Sequence, residues 1–495
     1  MNKDNQGQHL EKKLNPMNVW ALAFGCIIGW GAFVNPGKKF LPKSGTLGTA
    51  IALALGALIM IIIAFSYSYM VPKYPKAGGE FTFTKVCFGK NCAYICGWFL
   101  IIAYLANVPM NSTALGLIVD GLDGEANILR FGYLYTSAGF DIYLGEMLFA
   151  FLILILFAVF SIRGVKVAGV IQTILAILLA VSVFALVIAA IINVINGNIK
   201  IDNIKPFWGY DKEAALAAGQ YSEALANNDK MSIMAGVLAT LSIAPWAFVG
   251  FDTIPQAAEE FNFKTKKVNF IMIIAIIFGG FVYIANNTIA AAAVTNYPEL
   301  LTQDSGRWLL LEAARNLLGV PGVVLVGVAV FSAVLTGIMG FYMASSRLMY
   351  SMSKEGYLPK FFSKLDKKHN TPKAAMIFCM IVSLSGPILG REALGWFVDM
   401  SAIGASIGYG FTCLSTLVTM KREGDKKPML AILAVLGSLF SLIFLILQVV
   451  PIPGLEGVHF GTESYIMLAV WVVLGIVFYL FKGKQFTNKE EKAEV

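Results

Sequence analysis

Charge is what this sequence has least of. Asp, Glu, Lys and Arg make up only 14% of its 495 residues, against about 25% in a soluble domain, too little to solvate a globular surface of this size. Histidine is nearly missing as well. His9, His369 and His459 lie in a polar tail or in loops, and no nucleophile–base pair or metal-ligand spacing involves them, which argues against an enzyme and against a resident metal. The six cysteines (Cys26, Cys87, Cys92, Cys96, Cys379 and Cys413) sit mostly within or beside apolar stretches. Cys92 and Cys96 are one helical turn apart with no histidine nearby, so they read as small core residues rather than a zinc site or disulfides. The polar stretch from Met1 to Asn15 lacks the pattern of a signal peptide, so the first apolar run is expected to stay in the chain.

What is present in excess is hydrophobicity: 57% of the residues are apolar and the mean hydropathy is +0.71. Apolar runs exceed twenty residues, whereas membrane-barrel strands alternate over about ten. The fold class expected is an all-α polytopic membrane protein, one transmembrane domain over residues 1–495 with the lipid bilayer as its solvent. Twelve spans are expected, at about 17–37, 46–70, 91–119, 142–162, 165–195, 233–258, 268–295, 320–346, 373–390, 392–420, 428–450 and 463–481. With the N-terminus inside, more than two thirds of the 38 Lys and Arg residues fall on inner segments, which puts both termini in the cytoplasm. The net charge of +8 is then a topology signal, not a mark of nucleic-acid binding. Lys38, Lys39 and Lys43 form a cationic outer turn that runs against the rule. The outer segment 196–230 is too mixed in sign to span, and Glu213-Ala-Ala-Leu-Ala-Ala within it fits a short surface helix.

Two spans are interrupted. Gly25-Cys26-Ile27-Ile28-Gly29-Trp30-Gly31 lies inside an uncharged run from Met17 to Gly37 and places three glycines in seven residues. Each glycine costs about 1 kcal/mol against alanine in a helix interior, and in hydrocarbon every freed backbone group needs a partner. A broken helix there must be buried in protein or face a wet cavity. Its freed N–H groups suit a carboxylate, and freed carbonyls suit a cation or an ammonium. Glycines so placed also serve close helix packing. The second interruption, Ser242 through Thr253, holds Pro245, Gly250 and Asp252. A mid-helix proline costs about 3 kcal/mol, and an aspartate in a span faces a cavity or a partner. The breaks fall in the first and sixth spans. That spacing favours broken helices and gives a five-plus-five inverted repeat with a midplane binding site: 17–195 as helices 1–5, 233–420 as helices 6–10, and 428–481 as helices 11–12. Gln172, Asn286 and Asn287 read as interhelical contacts. Pro75-Lys76-Ala77-Gly78-Gly79-Glu80 in the first inner loop fits either a connector or a short in-plane helix that moves with gating.

These blocks resemble the amino acid–polyamine–organocation (APC) family of permeases. The match runs through Gly25-x-Ile27-Ile28-Gly29-x-Gly31, then Pro75-x-Ala77-Gly78-Gly79-Glu80. It continues in Phe248-x-Gly250-Phe251-Asp252 with Glu259-Glu260, and in Ser345-Ser346-Arg347 through Gly356-x-Leu358-Pro359-x-Phe361 with Thr371-Pro372. It covers roughly residues 17–420. The resemblance implies a LeuT-like fold with discontinuous helices 1 and 6. It implies that the backbone from Cys26 to Gly31 takes a substrate α-carboxylate, that carbonyls near Ala244, Trp246, Ala247 and Phe248 take the α-ammonium, with Gly250 beside them, and that Trp246 gates the site. Three departures stand out. Trp30 replaces a small residue, Phe261-Asn262 replaces Asn-Pro after Glu260, and Leu179 stands where some proton-coupled members carry a lysine. Exchange, sodium coupling through carbonyls with Ser332 or Thr336, and proton coupling through Asp252 or Glu80 all stay open. The function implied is secondary active transport of amino acids across the plasma membrane by alternating access, as symport or exchange, with no cofactor beyond a coupling Na+ or H+, as a monomer or homodimer. The rivals are an amine or polyamine transporter of the same superfamily, or a transport-dead sensor or channel on the same scaffold.

Overall fold

The computed structural model describes residues 10–123, 126–137, 140–209, 230–303, 308–391, 393–453, 455 and 458–487; the Glu213 helix expected above lies outside them. Among the described residues nine helical stretches are long and apolar enough to cross a bilayer, and Pro16–Ile27 and Lys373–Leu389 are shorter apolar helices. The fifth span, Val165–Ile195, shows how such a helix is sorted. Ile174, Val181, Ile188 and Ile195, one every two turns, are 54–77% exposed. Gln172, Ala176, Leu179 and Val183 face inward and are buried. Large aliphatic side chains look outward at the positions a bilayer would cover, and the polar and small ones look in.

The boundaries depart from expectation where glycine intervenes. The first span starts at Pro16 on a reciprocal cap: Asn18 N–H donates to Asn15 Oδ1 (2.9 Å) and Asn15 N–H to Asn18 Oδ1 (3.2 Å). It stops at Ile27, resumes at Gly31–Asn35, and passes through a π turn, Pro36–Phe40, into Leu41–Lys73. Gly45 bends that path at φ 65°, and a Cβ there would lie 2.3 Å from the Trp208 backbone. The outer segment therefore packs on the bend. Lys38 and Lys39 sit in the π turn, and the Asp399 carboxylate at the start of the tenth span attracts Lys39 and Lys43. This opposite charge is a local reason for the lysines of that turn. The helix expected from residue 91 begins at Gly79 and turns at Gly89 (φ 79°), so the first inner loop carries a helix of its own before the third span proper. That span breaks once more at Ala106 and continues as Asn107–Asp123.

The sixth span is divided into Lys230–Leu241, Ala244–Ala247 and Thr253–Gln256. The eighth, Val320–Lys354, runs eight residues past its expected end at 346; at 1.5 Å per residue it is about 52 Å long, well beyond a ~30 Å hydrocarbon core. One element corrects the all-helical expectation. Tyr133–Ser137 and Phe140–Tyr143 pair as an antiparallel hairpin in the connection between the third and fourth spans. It is tied to the end of the ninth span by the Tyr135 hydroxyl on the Ile388 carbonyl and the Ser137 hydroxyl on the Leu389 carbonyl. Beside it Asp120 and Glu146 face Arg130 and Arg391 in a four-member ion cluster.

Candidate functional site

The first break is short and polar. Ile28 leaves the helix at φ −92°, ψ 92°, while its N–H still reaches the Phe24 carbonyl (3.0 Å). The ladder resumes with Ala32 N–H on Gly29 O (3.2 Å) and Phe33 N–H on Trp30 O (3.0 Å). Between them the N–H groups of Gly29, Trp30 and Gly31 donate to no described residue. Three consecutive donors at the start of a helical run suit an anionic oxygen, with the helix dipole adding to the attraction.

The three glycines serve different ends. A Cβ on Gly25 would meet Thr336 Cβ at 2.6 Å and Gln172 Nε2 at 2.9 Å. The Thr336 hydroxyl lies 3.0 Å from the Gly25 carbonyl, and Gln172 Nε2 donates to the Thr336 carbonyl (3.1 Å). Gly25 thus packs the first span onto the fifth and eighth. A Cβ on Gly31 would lie 2.5 Å from the Trp246 ring, so Gly31 admits the indole of the second break. Only Gly29 has room: the nearest atom to an added Cβ is Asn111 Oδ1 at 3.7 Å, an oxygen that is buried and without a hydrogen-bond partner among the described residues. Cys26 is 4% exposed, and its sulfur fills the space where Gly340 lacks a side chain. Ile27 sits against Gly279 and Ile28 is fully buried. Trp30 is buried beside Trp246, ring centroids 6.5 Å apart and tilted by 54°.

The second break is longer. One turn, Ala244–Ala247, opens on Pro245, and Phe248 N–H closes on the Ala244 carbonyl (3.0 Å). The carbonyls of Ala247 and Phe248 accept no hydrogen bond from a described residue, which leaves two acceptors beside the Trp246 ring. Gly250, at φ 150°, meets the first break backbone to backbone: a Cβ there would lie 2.5 Å from Ile27 N and 2.8 Å from Ala23 O. Its N–H donates to Asp252 Oδ1 (2.7 Å), and Asp252 Oδ2 is buried without a described partner.

Of the coupling candidates, Glu80 and Asp252 come into one polar cluster. Glu80 accepts from the Tyr67 hydroxyl (2.8 Å) and from Gln256 Nε2 (2.6 Å), and the Tyr104 hydroxyl lies between Glu80 (3.2 Å) and the Asp252 carbonyl (3.1 Å). Thr336 stands at the first break, and Ser332, one turn earlier and buried, offers its carbonyl to the Thr336 hydroxyl (2.8 Å). Leu179 is fully buried in the fifth span. Of the interhelical polar residues, Asn286 Nδ2 donates to Ala32 O (2.9 Å) and Asn287 Nδ2 to its own helix at Tyr283 O (2.8 Å). Reasoning from the sequence missed Asn111, Tyr67, Tyr104 and Gln256; the available signal was a run of polar residues, Asn107 and Asn111, one turn apart inside an apolar span.

Below the breaks the chain is fastened. Arg347 and Glu260, each 1% exposed, form a two-pronged pair (2.8 and 3.3 Å). The Ser351 hydroxyl donates to the Ala77 carbonyl (2.8 Å). Leu14 N–H donates to Glu260 O, and Asn262 N–H to Leu14 O (both 3.0 Å). The inner loop, the end of the eighth span, the stretch after the sixth and the N-terminal approach to the first are thus joined at one place.

Comparison with known proteins gives the following. The family model described as amino acid permease matches residues 14–478. The branched-chain amino acid permease BcaP of Bacillus subtilis is 24% identical over 491 residues, covering 97% of this chain and 94% of its own. The methylthioribose transporter of the same organism is 22% identical over 494 residues, covering 98% and 96%. The vacuolar cationic amino acid transporter 4 of Arabidopsis thaliana is 23% identical over 428 residues, covering 84% and 64%.

Proposed function

Since this chain belongs to the amino acid permease family, a family of transporters and not of enzymes, we propose that it carries amino acids across the plasma membrane by alternating access. The observation that supports this reading is the meeting of two unlike breaks: three donors from Gly29 to Gly31 and two acceptors at Ala247 and Phe248, all without a partner among the described residues, with the Trp30 and Trp246 rings 6.5 Å apart. An α-amino acid presents the complement, a carboxylate and an ammonium on one carbon. Donors at a helix start take the first and unwound carbonyls take the second. Trp246 covers the bound substrate, and opening of the joint around Arg347–Glu260 releases it inward. The reading places the two breaks in helices 1 and 6 of twelve, in five-plus-five inverted repeats, with both termini in the cytoplasm. It needs no cofactor; sodium or a proton drives uptake unless the protein exchanges, with Thr336 and Ser332 as the sodium partners and Asp252 or Glu80 as the proton partners.

Counterflow in proteoliposomes tests it. Vesicles loaded with unlabelled amino acids should accumulate one or a few of the labelled ones added outside. The labelled panel includes polyamines and, because one relative is named for it, methylthioribose. Accumulation of polyamines alone, or label equilibrating without overshoot as through a channel, overturns the proposal. Sodium and pH gradients imposed on empty vesicles then separate symport from exchange.

A further inference from the structure

On the outer wall of the bundle, the first span's lower half and the start of the seventh span enclose a groove of about 860 Å³. Its walls are Met17 and Trp20 on one side and Phe270, Ile274 and Phe278 on the other, and Lys266 and Lys267 stand at one end. Three features define its occupant. The walls are apolar and turned outward, with Met17 44% and Phe270 69% exposed, so hydrocarbon fills the groove in a membrane. Both lysines are exposed and neither has an acidic partner among the described residues, so the rim offers two cations to an anion. From Lys267 to Phe278 the helix climbs about 16 Å, half of a ~30 Å hydrocarbon core. That is the depth of one leaflet, and the groove closes there where Phe278 stands edge-on to Trp20 (6.3 Å, 88°).

We propose that this groove binds one acyl chain of an anionic phospholipid of the inner leaflet, with its phosphate against Lys266 and Lys267. Basic residues at the cytoplasmic ends of spans are the usual partners of such headgroups. The site has a consequence for transport. One wall is the half-helix Pro16–Ile27, which ends at the first break, and its last residue rests on Gly279 of the opposite wall. A lipid seated between the two braces that half-helix, so the occupied groove sets how readily it moves. This last step rests on the transport reading; the binding step does not.

The test uses the full chain with Lys266→Gln/Lys267→Gln, two exposed positions, and with Ile274→Trp, which fills the groove. Native mass spectrometry against phosphatidylglycerol and phosphatidylcholine should show the wild type retaining phosphatidylglycerol preferentially. The lysine pair should lose that preference by about tenfold or more, and Ile274→Trp should lose the bound lipid. Equal retention of both lipids by the wild type, or undiminished phosphatidylglycerol retention by the lysine variant, overturns the site. Counterflow in phosphatidylcholine vesicles with and without phosphatidylglycerol gives the second readout: stimulation in the wild type and none in the lysine variant. Stimulation that persists in the variant overturns the bracing role. Absence of counterflow in every lipid, with the binding preference intact, overturns the transport reading and leaves the lipid site standing.

Discussion

The two breaks reach the same end by opposite means. The first, Ile28 to Trp30, is made by absence: no described side chain bonds the backbone of these three residues, the Tyr283 and Asn286 side chains reaching only the Ile27 and Ala32 carbonyls on either side, and there is room beside Gly29. The second, Phe248 to Asp252, is made by presence. Pro245 starts its turn, Asp252 ties down the Gly250 N–H, and the Tyr104 hydroxyl holds the Asp252 carbonyl. One leaves three consecutive N–H groups without a described acceptor, and the other is a backbone braced by its own side chains. The comparison teaches that a broken membrane helix needs its freed groups met by something, and that the first break meets fewer of them with the protein's own side chains.

Substitutions at four positions and one labelling experiment break or sharpen that contrast. Gly250→Ala should do most damage, because its Cβ would enter the Ile27 and Ala23 backbone. We expect about 3 kcal/mol or more of lost stability, read as a collapse of both the monodisperse fraction on size exclusion and uptake. Gly29→Leu should behave differently, since the space there is open: elution and melting temperature near wild type, with counterflow down about 100-fold as the donors to a charged group are blocked. Normal counterflow in that variant would remove the carboxylate site. Trp246→Ala should weaken apparent substrate affinity about 30-fold while Trp246→Phe recovers most of it, measured by competition against labelled substrate. Asp252→Asn keeps an oxygen for the Gly250 N–H, so its melting temperature should move little, by about 1 kcal/mol equivalent; a large drop would mean that the second break depends on charge. The smallest effect is expected at Cys26. With its sulfur packed at Gly340, its alkylation rate should be slow and change less than about twofold on adding substrate, and clear protection would place the thiol in the binding pocket instead.

The breaks themselves were legible because glycine and proline act through the backbone, and backbone cost is local. What each glycine does was not. Gly25, Gly29 and Gly31 look alike in the chain, yet one admits Thr336, one admits Trp246 and one is open, which depends on residues more than 200 positions away. The span count was approached from hydropathy, but Gly45 and Gly89 redrew its boundaries through conformation rather than composition. Arg347 and Glu260 each stood in a motif noted in advance. Their pairing across 87 positions follows from the cost of burying either charge alone, about 3–5 kcal/mol when one partner is removed, and no local rule joins them. The Tyr67–Glu80–Gln256 cluster was hidden for the same reason.

The length of the eighth span has a mechanical meaning. Thr336, on the Gly25 carbonyl, lies near the middle of Val320–Lys354, while Arg347 and Ser351 lie toward its inner end. Along the axis Ser351 is about 22 Å from Thr336. If this helix tilts as a rigid lever by roughly 10°, Ser351 swings by about 4 Å and parts from Ala77, while Thr336, at the fulcrum, barely moves. The inner fastening is therefore the first contact to yield, and the seat beneath the first break is the last.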